Sequence, residues 1–212
     1  MTAGQAVVAA FDVDGTLTTT DCFRRFLRLL GGRGALVRGP LRQPLAMVRA
    51  AVVRDRDIVK AAVVDRNYRG RLPDEVDELG RAFAATIERE LLRADTVARL
   101  RWHQDQGHRT VLVSASLASY LRPLGSALGV DGVLCTDVAV GADGRYTGVI
   151  AGRNCRGAEK VARLRGWLDG AGVDVVQVWA YGDSAGDREL LRFADHPTRV
   201  TRATLAARPV PR

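Results

Sequence analysis

Apolar positions along the chain follow two periods. Residues 6–12, AVVAAFD, form an unbroken apolar run closing on an acid, the pattern of a strand buried on both faces. From about Leu17 to about Arg101 no strand pattern occurs. There, CFRRFLRLL and DEVDELGRAFAATIERELLRA space their apolar residues three and four apart, as amphipathic helices do. The segment between them holds Pro40 and Pro44 and is expected as a broken helical region. Strand patterns return at RTVLVSAS (109–116), GVLCT (132–136) and VVQVWAYGD (175–183). Helices are expected at LASYLRPLGSALG (117–129, across Pro123), GAEKVARLRGWLDGAG (157–172) and AGDRELLRFA (185–194). VAVGADGRYTGVI (138–150) places turn residues between alternating runs and predicts a hairpin, and TRVT (198–201) a last short strand.

This alternation predicts an α/β fold, a doubly wound, mostly parallel Rossmann-like sheet with helices on both faces. In such sheets ligands sit beyond the carboxyl ends of the strands. Polar residues gather there: Asp12 and Asp14 after the first strand, Ser114 at the end of the second, Asp183 after the strand of Val178 and Trp179, and Lys160 near a helix start. Four separate segments deliver chemistry to one edge.

At 212 residues the chain suits one core domain with a modest insertion. No apolar run approaches the roughly 20 residues that span a bilayer, and the first residues lack the pattern of a signal peptide, so a cytoplasmic location is expected. Cys22, Cys135 and Cys155 are widely spaced, as are His103, His108 and His196, which points to neither a disulfide framework nor a zinc site. The net charge of +8 is concentrated: residues 22–71 carry 13 Arg and Lys against 3 Asp, or +10, leaving −2 elsewhere. Such a segment favours anionic partners, and peripheral membrane contact is open to it. No aromatic platform or nucleic-acid-binding motif accompanies the charge, and no nucleic-acid partner is expected.

FDVDGTLT puts two carboxylates two residues apart beyond a strand. Phosphoryl transfer needs an oxygen nucleophile, an acid for the leaving oxygen, a metal and compensating cations. Asp12 can serve as nucleophile and ligand, and Asp14 as the acid that later deprotonates water. A plain acidic turn would look the same. GDSAGD adds Asp183 and Asp187, carboxylates suited to Mg²⁺, or alternatively a helix cap by Asp183 or Ser184. Lys160 is either a charge stabiliser or an ordinary helix lysine. The chain uses 30 Arg and only 2 Lys, so a lysine kept here suggests a need for a compact point charge. The Ser114 hydroxyl, with the backbone N–H groups that follow from Ala115 onward, can hold phosphate oxygens or merely form a turn.

Taken in order, FDVDGTLT, VSAS, GAEK and YGDSAGD resemble the four motifs of the haloacid dehalogenase-like hydrolase superfamily, over residues 7–200. The resemblance implies a phosphatase with Asp12 as nucleophile, Asp14 as acid and base, Ser114 and Ala115 on the phosphate, and Lys160 as stabilising cation. It also implies Mg²⁺ held by Asp12, Asp183, Asp187 and the Asp14 carbonyl. The helical stretch then corresponds to a small cap inserted after the first strand, giving a core of residues 1–16 and 96–212 and a cap of 17–95. The cap, the hairpin and the ending GDSAGDRELLRFADHP resemble the phosphoserine-phosphatase-like branch, including its phosphatidylglycerophosphate phosphatases.

Asp21, Gly186 and the Ser114-Ala115-Ser116 run depart from true phosphoserine phosphatases, which carry Glu, Asn and SGG there; phosphoserine is therefore not the expected substrate. Asp21, seven residues after Asp14, is a candidate contact to the leaving group or else a helix cap. The expected substrate is a small phosphorylated metabolite, with a membrane phospholipid head group, phosphoserine itself and a phosphotransferase reaction as rival readings.

Overall fold

The computed structural model describes residues 6–37, 41, 45, 48, 56–170 and 175–206. Strand β1 (Ala6–Phe11) is followed by helices α1 (Cys22–Gly31), α2 (Arg56–Tyr68) and α3 (Pro73–Thr86). A wide turn at Ile87–Leu91 leads into α4 (Ala94–Asp105). Then come β2 (Arg109–Leu117), α5 (Ala118–Leu128), β3 (Gly132–Val140) and β4 (Tyr146–Ala151). The described chain closes with α6 (Ala158–Gly170), β5 (Val175–Gly182), α7 (Arg188–Phe193) and β6 (His196–Arg199). Among the described residues no helix is long and apolar enough to cross a membrane.

One sheet runs in the order β4-β3-β2-β1-β5-β6, parallel throughout except for the β3–β4 hairpin. Alternate β1 side chains feed opposite layers, as the two-residue period requires. Ala9 and Phe11 join Leu100, Leu121, Leu124 and Tyr181 under α4 and α5. Val8 and Ala10 join Val111, Val113, Leu164 and Leu190 under α6 and α7. Helices therefore cover both faces, the doubly wound arrangement that the strand–helix alternation predicts.

The long helix expected after Pro73 stops early. Leu92 and Arg93 are extended because the backbone pairs there with the loop after β1: Thr19 N–H donates to Leu91 O and Arg93 N–H to Leu17 O, both at 2.9 Å. Entry to and exit from the inserted helices are thus stitched side by side. The last strand begins at His196, two residues earlier than TRVT suggested, and β3 continues to Val140. Helix α5 does run through Pro123, which has no N–H for the Ser119 carbonyl one turn back. Gly80 of α3 packs against that carbonyl so closely that a Cβ would collide with it. The broken helical region around Pro40 and Pro44 lies outside the described residues.

Buried under α4, a polar chain links Arg99, Tyr181, His103 and His108. Arg99 donates to the Tyr181 hydroxyl at 3.0 Å, that hydroxyl shares a hydrogen bond with His103 Nε2 at 2.8 Å, and His103 Nδ1 shares one with His108 Nδ1 at 2.8 Å, so a neutral His103 donates through one nitrogen and accepts through the other. Burial first, then the charges of His108 and Arg99, push the His103 pKa down to about 3. The unfolded state, with a pKa near 6.5, binds a proton that the folded state refuses. This contribution is complete above about pH 6.5 and is lost as pH falls toward 3. The stability gap between the wild type and His103→Gln should therefore narrow between pH 7 and 5 by roughly 1–2 kcal/mol. Urea melts at the two pH values check this, and comparing the pair cancels the other titrations.

Candidate active site

Strand register assembles the site. Phe11 pairs with Leu112 on one side and Tyr181 on the other, so Asp12 emerges level with Val113 and Gly182. Ser114 and Asp183 are each one residue further along. This is also the switch point of the sheet, where the connection from β1 runs to β2 on one side while β5 lies on the other.

Lys160, only 2% exposed in the first turn of α6, points its ammonium between two carboxylates, 2.5 Å from both Asp12 Oδ1 and Asp187 Oδ1. Asp187 is itself held, its Oδ2 accepting the Ser184 N–H at 3.0 Å and hydroxyl at 2.7 Å. Ser184 caps the short turn Ala185–Asp187, so capping and the acidic cluster coexist. Asp183 completes the group: one carboxylate oxygen each from Asp12, Asp183 and Asp187 lies within 4.8 Å of the others, and Asp183 Oδ1 is buried with no hydrogen-bond partner. Close approach requires Gly15, at φ 84°, where a Cβ would strike the Asp183 carboxylate.

Burial pushes the Asp12 carboxyl up to about 7, with Lys160 pulling against it and Asp187 adding to the rise. Burial opposes the Lys160 charge too, but Asp12 and Asp187 more than restore it and hold its pKa above the usual lysine value. Asp183 is also raised, first by burial and then by Asp187. Asp14 stands apart from this cluster. Its Oδ1 accepts the Cys22 N–H at 2.8 Å and its Oδ2 the Ser116 hydroxyl at 2.5 Å. Burial raises its pKa, against the pull of both hydrogen bonds.

The cleft over this edge is lined by Asp14, Ala115, Ser116 and Asp183 from the sheet and by Asp21 and Lys60 from the inserted segment. Ser114 is buried behind it, its Oγ accepting the Ser116 N–H at 3.1 Å. Asp21 caps α1 by accepting the Arg24 N–H at 2.9 Å while also facing the cleft, so both sequence readings of it have a structural basis. The six Cys and His residues take no part in the acidic cluster, and the three cysteines are free and buried.

Two cleft residues escaped the sequence reading. Lys60 donates to Ala115 O, Thr136 Oγ1 and Asn154 Oδ1, and burial pushes its pKa down to about 8. The signal was available, because Lys60 is the other lysine in a chain that otherwise uses arginine. Ser116 had been noted only as a departure from a glycine.

An open α/β sheet with a buried carboxylate cluster and one lysine at its switch point defines a hydrolase-type site for a charged substrate. The haloacid dehalogenase-like hydrolase model matches residues 9–192. Protein CicA of Caulobacter vibrioides is 38% identical over 192 residues, spanning 90% of this chain and 84% of its own. A histidinol-phosphatase of Neisseria meningitidis is 31% identical over 101 residues, 46% of each chain. Among solved structures, a substrate-bound phosphoserine phosphatase overlays with a TM-score of 0.61 at 16% identity, covering 90% of this chain and 84% of its own. The chain belongs to the haloacid dehalogenase-like hydrolase family.

Two measurements test this geometry without turnover. Asp21→Ala should cost about 1 kcal/mol through the lost cap, read as a lower melting temperature. Mg²⁺ at a hundredfold excess over its Kd should stabilise the fold by about 2.7 kcal/mol, a rise of roughly 5–10 °C that Asp183→Asn abolishes.

Proposed function

We propose that this hydrolase is a phosphatase that hydrolyses a small phosphorylated metabolite through a phosphoaspartate on Asp12, with Mg²⁺ as cofactor. The observation that carries the reading is the charge of the buried cluster. Asp12, Asp183 and Asp187 bring three negative charges against one from Lys160, an excess of two that a divalent cation balances. All-oxygen donors, one of them without a protein partner, suit a hard cation such as Mg²⁺. Asp12, Asp183 and Asp187, with the Asp14 backbone carbonyl, would hold it. When bound it supplies positive charge that favours ionised Asp12 and draws charge from the phosphate.

The residues then divide the work. Lys160 fixes the Asp12 carboxylate and neutralises part of the phosphate charge, and Asp187 holds Lys160 in place. The Ser114 hydroxyl, which accepts the Ser116 N–H and keeps its own proton to donate, and the Ala115 N–H orient the phosphate oxygens. An Asp12 oxygen forms a bond to phosphorus as the bond to the leaving oxygen breaks, and the Asp14 proton passes to that oxygen. Asp14, now ionised, takes a proton from water as the water oxygen bonds to phosphorus. The bond to Asp12 then breaks, releasing phosphate and restoring both carboxyl groups to their starting states. Residues 17–95 serve as the cap that closes over the cleft and selects the leaving group, on a core of residues 1–16 and 96–212.

A second reading, action at an anionic membrane surface, is favoured by Val37, Leu41, Leu45 and Val48. They recur at spacings of four, four and three and are 55%, 73%, 86% and 62% exposed within the basic segment. Sedimentation with anionic but not zwitterionic vesicles would support it.

Asp12→Asn should reduce turnover by several orders of magnitude and prevent phosphoenzyme trapping. Asp14→Asn should impair both formation and hydrolysis of the phosphoenzyme, and the formation defect, read in kcat/KM, should be far larger for alkyl esters than for an aryl phosphate, whose leaving group needs little protonation. Steady-state kinetics on the two ester classes decides; near-normal turnover by Asp12→Asn, or equal losses for Asp14→Asn, would overturn the respective role.

A further inference from the structure

The two donors that hold Asp14 differ in kind. A peptide N–H can only donate, so the Cys22 amide on Oδ1 disfavours a proton on that oxygen. A hydroxyl both donates and accepts, so Ser116 suits Oδ2 whether or not Oδ2 carries a proton. A group that must be acid in one step and base in the next requires such a partner. The transferable proton therefore belongs on Oδ2, and the Ser116 hydroxyl sets the angle of the carboxyl group.

Ser116 is in turn held firmly. It is 1% exposed, and its N–H donates to Ser114 Oγ at 3.1 Å. The carbonyl just before it, Ala115 O, accepts Lys60 from α2. The same ammonium reaches Thr136 Oγ1 at 3.1 Å and the Asn154 side-chain oxygen, while Asn154 Nδ2 donates to Asp57 at 2.6 Å. Acceptors from β2, β3 and the loop before α6 converge on one nitrogen. A compact ammonium with three donors satisfies them, whereas a planar guanidinium does not.

We propose that Ser116 is a positioning residue for proton delivery by Asp14, and that Lys60 holds it in register, so that docking of the inserted helices and orientation of the acid are one event. This rests on the reading of Asp14 as the acid. When the bond between phosphorus and the leaving oxygen breaks, the proton on Asp14 Oδ2 moves to that oxygen. A misdirected carboxyl leaves it as an alkoxide, a penalty that grows with the basicity of the leaving group.

The test compares an alkyl phosphate with p-nitrophenyl phosphate, in the presence of Mg²⁺, for the wild type, Ser116→Ala, Ser116→Thr, Lys60→Met, the Ser116→Ala/Lys60→Met pair and Asp14→Asn. Ser116→Ala should lower kcat for the alkyl ester about tenfold to a hundredfold. The aryl ester should lose no more than about threefold, with KM for both within about twofold. Ser116→Thr, which keeps the hydroxyl, should recover most of the alkyl rate. Lys60→Met should show the same selectivity, and the double variant should be no slower than the worse single one, as for two links of one chain.

Equal losses on the two esters, or none, for Ser116→Ala would overturn the role of Ser116; a leaving-group effect persisting in Asp14→Asn would then leave the acid itself standing. An Asp14→Asn variant with no leaving-group effect overturns the acid reading and this proposal with it. Losses that multiply in the double variant overturn the link to Lys60. Aryl turnover reports whether each variant is folded, and Ser116→Gly repeats the measurement should the alanine variant melt early.

Discussion

A single ammonium shared by two buried carboxylates is the contact on which the candidate site depends. Lys160 sits 2.5 Å from both Asp12 and Asp187 where water has almost no access. Removing one member of such a group leaves a buried charge uncompensated, at a cost on the order of 3–5 kcal/mol. The surrounding structure is arranged so that the contact can form. The register of β1 against β5 brings Asp12 level with Gly182 and so next to Asp183, Gly15 makes room for Asp183, and Ser184 ties down the free oxygen of Asp187. Helix α6 begins where its third residue can reach across the edge. Each feature is a local matter of turns and caps, and together they gather more negative charge than the lysine can neutralise.

What was legible in the sequence follows from how local each signal is. The two-residue period of β1, β2 and β5 and the helical period of α1 and α6 are short-range patterns, and the elements lie close to where those patterns predict. The helix after Pro73 was drawn too long because its end is set from outside. The backbone of residues 91–93 pairs with residues 17–19, more than seventy positions away in the chain. Nothing in ELLRA announces that. Asp12, Asp14, Asp183 and Lys160 could be named because each follows or faces the end of an apolar strand, and the sheet then determines that those ends meet.

Ser116 and Lys60 were harder to read for the same reason. A serine three residues after a buried valine carries no local mark of facing a carboxylate 102 positions earlier. Lys60 sits on a helix whose pattern explains only which face is buried. Its one sequence signal is compositional, and it is the signal that had already drawn notice to Lys160. In a chain that meets nearly every need for a cation with arginine, both lysines lie in the cleft region, Lys160 buried and Lys60 partly so, each bonded to more than one acceptor. At an exposed position either cation serves, so coding preference is free to decide. Where several acceptors converge on one point, a guanidinium fork cannot satisfy them without displacing its neighbours, and geometry decides instead.

The same distinction explains why the inserted segment carries both a dense positive charge and one lysine bonded to several acceptors. The arginines of residues 22–71 give the segment a positive field that acts at a distance on anions and weakens as salt is added. Lys60 acts by contact, and salt weakens such short, partly buried hydrogen bonds much less than it weakens a field acting through water. The two kinds of cation therefore divide the task of handling a phosphorylated substrate. The first draws an anion toward the cleft without regard to its shape. The second joins α2 to the end of β2 that carries Ser114, Ala115 and Ser116, so in the function proposed above selection of the substrate and placement of the reacting groups would depend on one set of contacts.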